Sequence, residues 1–271
     1  MKKCDLISPG HEKSLACHRR EICVVGRWLL EHGYIVSTEG NISVRLSGDR
    51  ILASPSGCSK GWMSPASLVI TDLEGRKISG TNAPSSELAM HLLIYRLRPE
   101  VNAVCHAHPV VATGFAAAAE PLNKAILCEM VVALGTVPLA RYGTPGTPEL
   151  AAALAPLVPH YDAILMSNHG VVTYGTDLLS AFHRMELVEH YARVSLVAAT
   201  LGKQSLLSSG DVEKLLAART RYGVTVPEPD DNDLLVVASE TEPALSRQGS
   251  RMHAGDRGRD RDEDDREDPK G

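Results

Sequence analysis

The run NAVCHAHPVV carries His106 and His108 with a single residue between them, and no other feature constrains the chain so strongly. Successive side chains on a strand point to opposite faces, so His106 and His108 project one way while Cys105 and Ala107 project the other. Such a pair is a bidentate half-site for zinc, which binds neutral imidazole nitrogen at about 2.0 to 2.1 Å. Taken alone, the two rings are equally consistent with a hydrogen-bonded pair on a surface or in a core. A third histidine, His169, lies between the apolar runs 163–166 and 171–174, flanked by Asn168 and Gly170. That pattern reads as two extended segments with a sharp junction, and a ring at the junction can face the pair. Three protein ligands with an open fourth position describe a catalytic metal site rather than a structural one.

A length of 271 residues, 44 % of them hydrophobic, suffices for one sizeable domain with a full core. The net charge of -5 supplies no broad basic field, so general nucleic-acid binding is not expected. The first residues, MKKCDLISPGHEKSLACHRR, carry no apolar core after the lysines, and no stretch is long enough to cross a bilayer. These observations predict a soluble, cytoplasmic protein without a membrane partner. The 6 cysteines lack CxxC spacing and are expected to be free thiols. Strand alternation aims Cys105 away from the metal, as a small apolar side chain.

Periodicity organises the rest. Leu15, Ile22, Val25, Leu29 and Leu30 mark a first helix over 12–32 ending at Gly33. Short β-like runs follow at 41–46, 50–54, 68–71 and 76–79, with 72–75 as a hairpin turn, which favours neighbouring antiparallel strands. Leu88, His91, Leu92 and Tyr95 have helical spacing within 87–97, a strand is expected at 102–108, and helix, strand and helix at 110–119, 137–139 and 148–157. The longest helical pattern runs over 177–201 and a last helix over 211–222. From Arg247 onward both charge signs mix without any aliphatic pattern, so 229–271 is expected to be a charged, disordered tail beyond a domain spanning 1–228. His253 in that tail is not a metal candidate.

The segments STEGNISVR, ASPSG, PSSELAMH, VCHAHP and SNHGVVTYG, in this order and spacing, resemble the class II aldolase/adducin family across about residues 12–225. The resemblance implies an α/β fold, a three-layer α/β/α sandwich around a mixed, largely antiparallel central sheet. It also implies one Zn²⁺ or other divalent cation per subunit and a homotetramer with active sites at subunit interfaces. Position by position, it makes His106, His108 and His169 the metal ligands. Glu87 becomes the acid/base residue and a further ligand when no substrate is bound. For the substrate phosphate it implies three loops: Gly40 with Asn41, then Ser54, Ser56 and Gly57, then Ser85 with Ser86. Backbone amides, hydroxyls and a helix N-terminus bind an anion without an arginine cluster. Read by themselves, these are an ordinary turn and ordinary helix-capping serines. Lys60 nearby reads as a solvated lysine.

The implied activity is cleavage of a phosphorylated ketose to dihydroxyacetone phosphate and an aldehyde, with a Lewis-acid cation stabilising the enediolate and Glu87 moving its proton. Two departures matter. In LCEMVV, Glu129 stands about where the family's aldolase pattern has a tyrosine from the neighbouring subunit. Tyr222, in RTRYGV, resembles a second tyrosine that acts on the aldehyde side, and it reads equally well as an aromatic anchoring the last helix. Family members with an epimerase activity carry aspartate where this chain has Glu87, which favours the aldolase reading. A 4-epimerase, a 3-oxo-tetronate-phosphate decarboxylase and a methylthioribulose-phosphate dehydratase remain as alternatives on the same site. A non-catalytic adducin-like interaction module would leave the three histidines unexplained.

Overall fold

The computed structural model of the chain describes residues 13–222, 227 and 235–238. Within them eight strands form one sheet in the order β4-β3-β2-β1-β5-β8-β7-β6. The strands are β1 (Asn41–Leu46), β2 (Arg50–Ala53), β3 (Val69–Asp72), β4 (Lys77–Ser79), β5 (Ala103–Ala107), β6 (Leu139–Ala140), β7 (Ala163–Met166) and β8 (Gly170–Gly175). Every pairing is antiparallel except β6 with β7, as the mixed, largely antiparallel sheet required. The helices are α1 (Leu15–Glu31), α2 (Leu88–Leu97), α3 (Val110–Ala117), α4 (Cys128–Ala133), α5 (Pro148–Leu154), α6 (Leu178–Thr200) and α7 (Ser209–Ala218). None of the described helices is long and apolar enough to cross a membrane.

Strand alternation divides the core between the sheet's two faces. Ala103, Cys105 and Ala107 join Ile42, Val44 and Leu165 in a cluster with α1, α3 and α6. Val104, Ile51, Val172 and Tyr174 point the other way, into a cluster with α2 and α5. These two clusters are the buried seams of a three-layer sandwich. Cys105 lies in the first of them, wholly buried, with its thiol pushed up to about 12 by burial, so it is an inert apolar filler facing away from His106.

Local chemistry fixes the helix starts. The Ser14 side chain accepts from the Cys17 amide at the head of α1, Thr147 caps α5 ahead of Pro148, and Asp177 and Ser180 form a capping box on α6. The first turn of α3 is held from outside. The wholly buried Glu189 of α6 accepts from the amides of Val111 and Ala112 at 3.3 and 2.9 Å, and Arg193 donates to it at 2.8 Å. This anchors the segment that follows His108 and Pro109.

Three expectations are corrected. The strand expected over 137–139 is β6 at Leu139–Ala140, because Val137 instead makes an isolated bridge to Leu122. Helix α4 was not anticipated, since six residues give too little periodicity to read. Residues Leu235 to Ala238, placed beyond the boundary at 228, pair with the body of the domain: Val236 donates to Asn123 at 2.7 Å and Ala125 donates back to Val236 at 2.8 Å. Leu235 and Val237 pack on Ala125, Val131 and Val212. Most of the expected tail, His253 included, lies outside the described residues.

Candidate metal centre

The three histidines converge. Their candidate ligand atoms lie within 4.8 Å of one another, and His106 Nε2 is 3.1 Å from His108 Nε2. Two nitrogens bound tetrahedrally to one zinc at about 2.0 to 2.1 Å would stand roughly 3.3 to 3.4 Å apart, so the observed gap suits one shared ion. Glu87 completes the set, its Oε2 3.3 Å from His106 Nε2 and its Oε1 3.1 Å from His169 Nε2.

Each group reaches the centre for a local reason. His106 and His108 share one face of β5 and its extension, as their spacing demanded. His169 sits in the tight connection between β7 and β8, whose last paired residues are Met166 and Gly170. Asn168 makes that turn possible with φ +54°, a conformation that asparagine tolerates better than most residues. At Gly170 an added Cβ would fall 2.4 Å from His108 Cδ2 and 2.7 Å from Ala107 O, so only glycine lets the turn close onto β5. Gly40 is equally confined: φ is +71° and a Cβ would lie 2.9 Å from His106 O. Glu87 is the N-cap residue of α2, yet its side chain makes no capping hydrogen bond and is free to turn toward the histidines.

Outer partners fix the tautomers of the strand pair. His106 Nδ1 donates to Val171 O at 2.8 Å and His108 Nδ1 donates to Glu39 Oε2 at 2.8 Å, leaving both Nε2 lone pairs for a cation. The other Glu39 oxygen accepts from the Val36 amide at 2.8 Å. Glu39 was not singled out in the sequence, although it stands within STEGN; a glutamate beside a glycine carries no mark of its partner.

The electrostatics suit a cation. Burial works to raise the Glu87 carboxyl, but the charges and hydrogen bonds of His106 and His169 outweigh it and hold Glu87 well below the usual carboxylate range. Its buried Oε1 faces His169 Nε2 at 3.1 Å, with no other partner among the described residues, and a cation among the same nitrogens satisfies both groups. Burial, with His106 nearby, lowers His108 to about 4, so its ring is neutral and able to ligate at ordinary pH.

The loops assigned to phosphate are brought side by side by a bridge between Pro55 and Pro84 and by Ser56 donating to Ala83 O at 3.0 Å. Their side chains divide into two groups. Ser56, Gly57 and Ser86 are exposed. Ser54 is wholly buried and its hydroxyl accepts from the Ile42 amide at 3.0 Å, the Ser85 hydroxyl accepts from the Glu87 amide at 3.3 Å, and the Asn41 amide donates to Glu87 Oε2 at 2.7 Å. Lys60 is corrected outright: only 2 % exposed, it donates to the carbonyls of Thr38 and Cys58 at 2.5 and 2.8 Å and its pKa is lowered by burial. It staples the loop beside Glu39 instead of standing in solvent. Glu129 is exposed in the first turn of α4. Tyr222 ends a short 3-10 turn, Arg219–Tyr222, and its side chain lies outside the described part of the structure.

The profile of the class II aldolase and adducin N-terminal domain matches residues 20–196. The chain belongs to the class II aldolase family. It is 35 % identical over 185 residues to the 3-oxo-tetronate 4-phosphate decarboxylase of Haemophilus influenzae, covering 65 % of this chain and 86 % of that one. It is 33 % identical over 181 residues to the L-fuculose phosphate aldolase of Methanococcus maripaludis, covering 67 % and 97 %. Among solved structures, an L-fuculose 1-phosphate aldolase superposes with a TM-score of 0.72 at 31 % identity, covering 78 % of this chain and 100 % of that one. Class II aldolases are metal-dependent, which accords with the convergence of histidines described above.

Proposed function

We propose that this family member is a zinc-dependent aldolase that cleaves a phosphorylated ketose of the L-fuculose-1-phosphate kind to dihydroxyacetone phosphate and an aldehyde. The observation that carries the reading is the placement of Glu87 against three convergent imidazoles, with one carboxylate oxygen anchored and the other turned inward. A divalent cation held by His106, His108, His169 and Glu87 supplies Lewis acidity at the substrate's carbonyl and neighbouring hydroxyl oxygens. Glu87 would hold or return the proton at the carbon beside that carbonyl. Ser56, Gly57 and Ser86 offer exposed hydroxyl and amide donors to the phosphate, Asn41, Ser54 and Ser85 hold those loops in place through the bonds already described, and Gly40 does so by its close approach to β5. Tyr222 is assigned to the aldehyde end, across a homotetramer interface in a cytoplasmic enzyme.

The similarity to a decarboxylase favours a second reading on the same site. Loss of carbon dioxide from a 3-oxo-tetronate 4-phosphate also leaves dihydroxyacetone phosphate, so detecting that product alone decides nothing. The test is a panel of ketose 1-phosphates and 3-oxo acid phosphates, with and without chelator, assayed for both products of cleavage. Chelator-sensitive release of an aldehyde together with dihydroxyacetone phosphate is the expected result. Carbon dioxide release only, or epimerised sugar only, rejects the aldolase reading.

A further inference from the structure

We propose that His91 is a positioning residue for Glu87, acting through the side-chain amide of Asn41; this rests on the reading of Glu87 as the acid/base group at the metal centre. His91 is a buried imidazole on the centre's own side of the sheet, yet it is not a ligand. Its Nε2 meets Asn41 Oδ1, and its Nδ1 lies 2.7 Å from Ser43 Oγ, which is itself 2.7 Å from the Tyr95 hydroxyl. Asn41 Nδ2 then donates to Glu87 Oε2. Asn41, Ser43, His91 and Tyr95 are each at most 2 % exposed, so no solvent competes for these bonds.

The direction of every bond follows from the last acceptor. An ionised carboxylate only accepts, so Asn41 must present its NH₂ to Glu87 and its carbonyl to His91. His91 therefore carries its proton on Nε2 and accepts at Nδ1 from Ser43, whose oxygen accepts from Tyr95. Burial lowers His91 to about 3, in keeping with a neutral ring that has one donor and one acceptor end. The geometry also explains why the chain exists. Glu87, His91 and Tyr95 are spaced i, i+4, i+8 on one face of α2 and its N-cap, while Asn41 and Ser43 share one face of β1. Asn41 is the register partner of His106. The chain thus ties the residue opposite a metal ligand to the carboxylate that must face the metal. Without the His91 N–H, Asn41 Oδ1 is left buried and unpaired, and only the bond to Glu87 Oε2 remains to hold the amide in this orientation.

The test compares His91→Met, which removes the donor at similar length, with His91→Gln, which restores one, alongside Asn41→Ala, the double variant and Glu87→Gln. Zn²⁺ affinity is read by competition with a chromophoric chelator, and kcat and KM on whichever phosphorylated substrate the panel above identifies. His91→Met is expected to lower kcat about 10- to 100-fold, the range for outer partners of a metal site, with KM within about threefold. Zn²⁺ affinity should fall by the same factor in His91→Met and Asn41→Ala and no further in the double variant, because one residue acts through the other. His91→Gln should recover most of the loss. Additive losses, or His91→Met within about twofold of the parent in both readouts, overturn the proposal. Should thermal scans show His91→Met unfolded, Ser43→Ala takes its place, and unchanged Zn²⁺ affinity and kcat there overturn it equally. If Glu87→Gln keeps full turnover and affinity, the acid/base reading itself fails; if Glu87→Gln is impaired and His91→Met is not, only this inference falls.

Discussion

The strand pair and the turn-borne histidine reach the same centre by different means. His106 hangs from a strand hydrogen-bonded on both sides and His108 just beyond its end, its amide donating to Tyr34 O, and each has its outer nitrogen engaged, by Val171 O and by Glu39. His169 rides a short connection that needs a left-handed Asn168, and its Nδ1 is buried without a hydrogen-bond partner among the described residues. Under the proposed assignment, two of the rings are oriented before a cation arrives, and the third would be oriented mainly by the cation and Glu87. Preorganisation of this kind lowers the entropy lost on binding.

If that asymmetry governs affinity, its largest signature is in ligand deletion. His106→Ala should weaken Zn²⁺ binding beyond the roughly 100-fold that bounds outer-partner effects, and His169→Ala should weaken it less. Metal content after dialysis against graded chelator ranks the two, and a larger loss for His169→Ala would reverse the comparison. Next in size is Glu39→Ala. It frees the His108 ring to change tautomer and should lower affinity about 10-fold or more, with Glu39→Gln intermediate because its carbonyl can still accept from Nδ1.

The contrast also shows what a sequence displays. A strand's two-residue repeat makes His106 and His108 readable as a pair, and alternation alone disposes of Cys105, because both follow from backbone geometry within a few residues. His169 is readable because Asn168 and Gly170 punctuate two apolar runs. Glu39 and Lys60 are not, since their partners lie 69 residues away at His108 and 22 away at Thr38, and a polar side chain's burial depends on what folds over it. His91 is the instructive case. Its helical spacing with Leu88, Leu92 and Tyr95 is legible, and it does face the core, but there it meets Asn41 and Ser43 instead of apolar groups. Periodicity gives the direction of a side chain and not the chemistry of what it meets.

Acid should destabilise the metal-free protein through two buried rings, His108 at the end of β5 and His91 on α2. Burial, first among the causes, holds His108 at about 4 and His91 at about 3, whereas an unfolded histidine titrates near 6.5. Below that pH the unfolded chain takes up protons that the folded chain refuses, so stability falls as pH drops from about 6.5 toward 4, by at most about 1.4 kcal/mol per unit for each ring. Glu87 acts with the same sign over a lower window. Its folded pKa is depressed, so the stability it contributes above its unfolded value is lost as pH falls further. Calorimetry of chelator-treated protein should show Tm declining from about pH 6.5 downward; a flat Tm to pH 5 would mean these rings are charged in the folded state.

The smallest effect sharpens the comparison at the turn. Asn168 at φ +54° occupies the left-handed region, where most side chains with a Cβ are strained by about 1 to 2 kcal/mol and asparagine less. Asn168→Ala should therefore destabilise the fold by about 1 kcal/mol, while Asn168→Gly should stay within about 0.5 kcal/mol, relief of strain offsetting the added freedom of the unfolded chain. Both leave His169 in place. Because the cation and Glu87 do most of the orienting of that ring, Zn²⁺ affinity should change less than about threefold in either variant, far below the Glu39→Ala loss. A large loss of affinity in Asn168→Gly, with Tm unchanged, would show that the turn itself preorganises His169 and that the two halves of the centre differ less than their outer partners suggest.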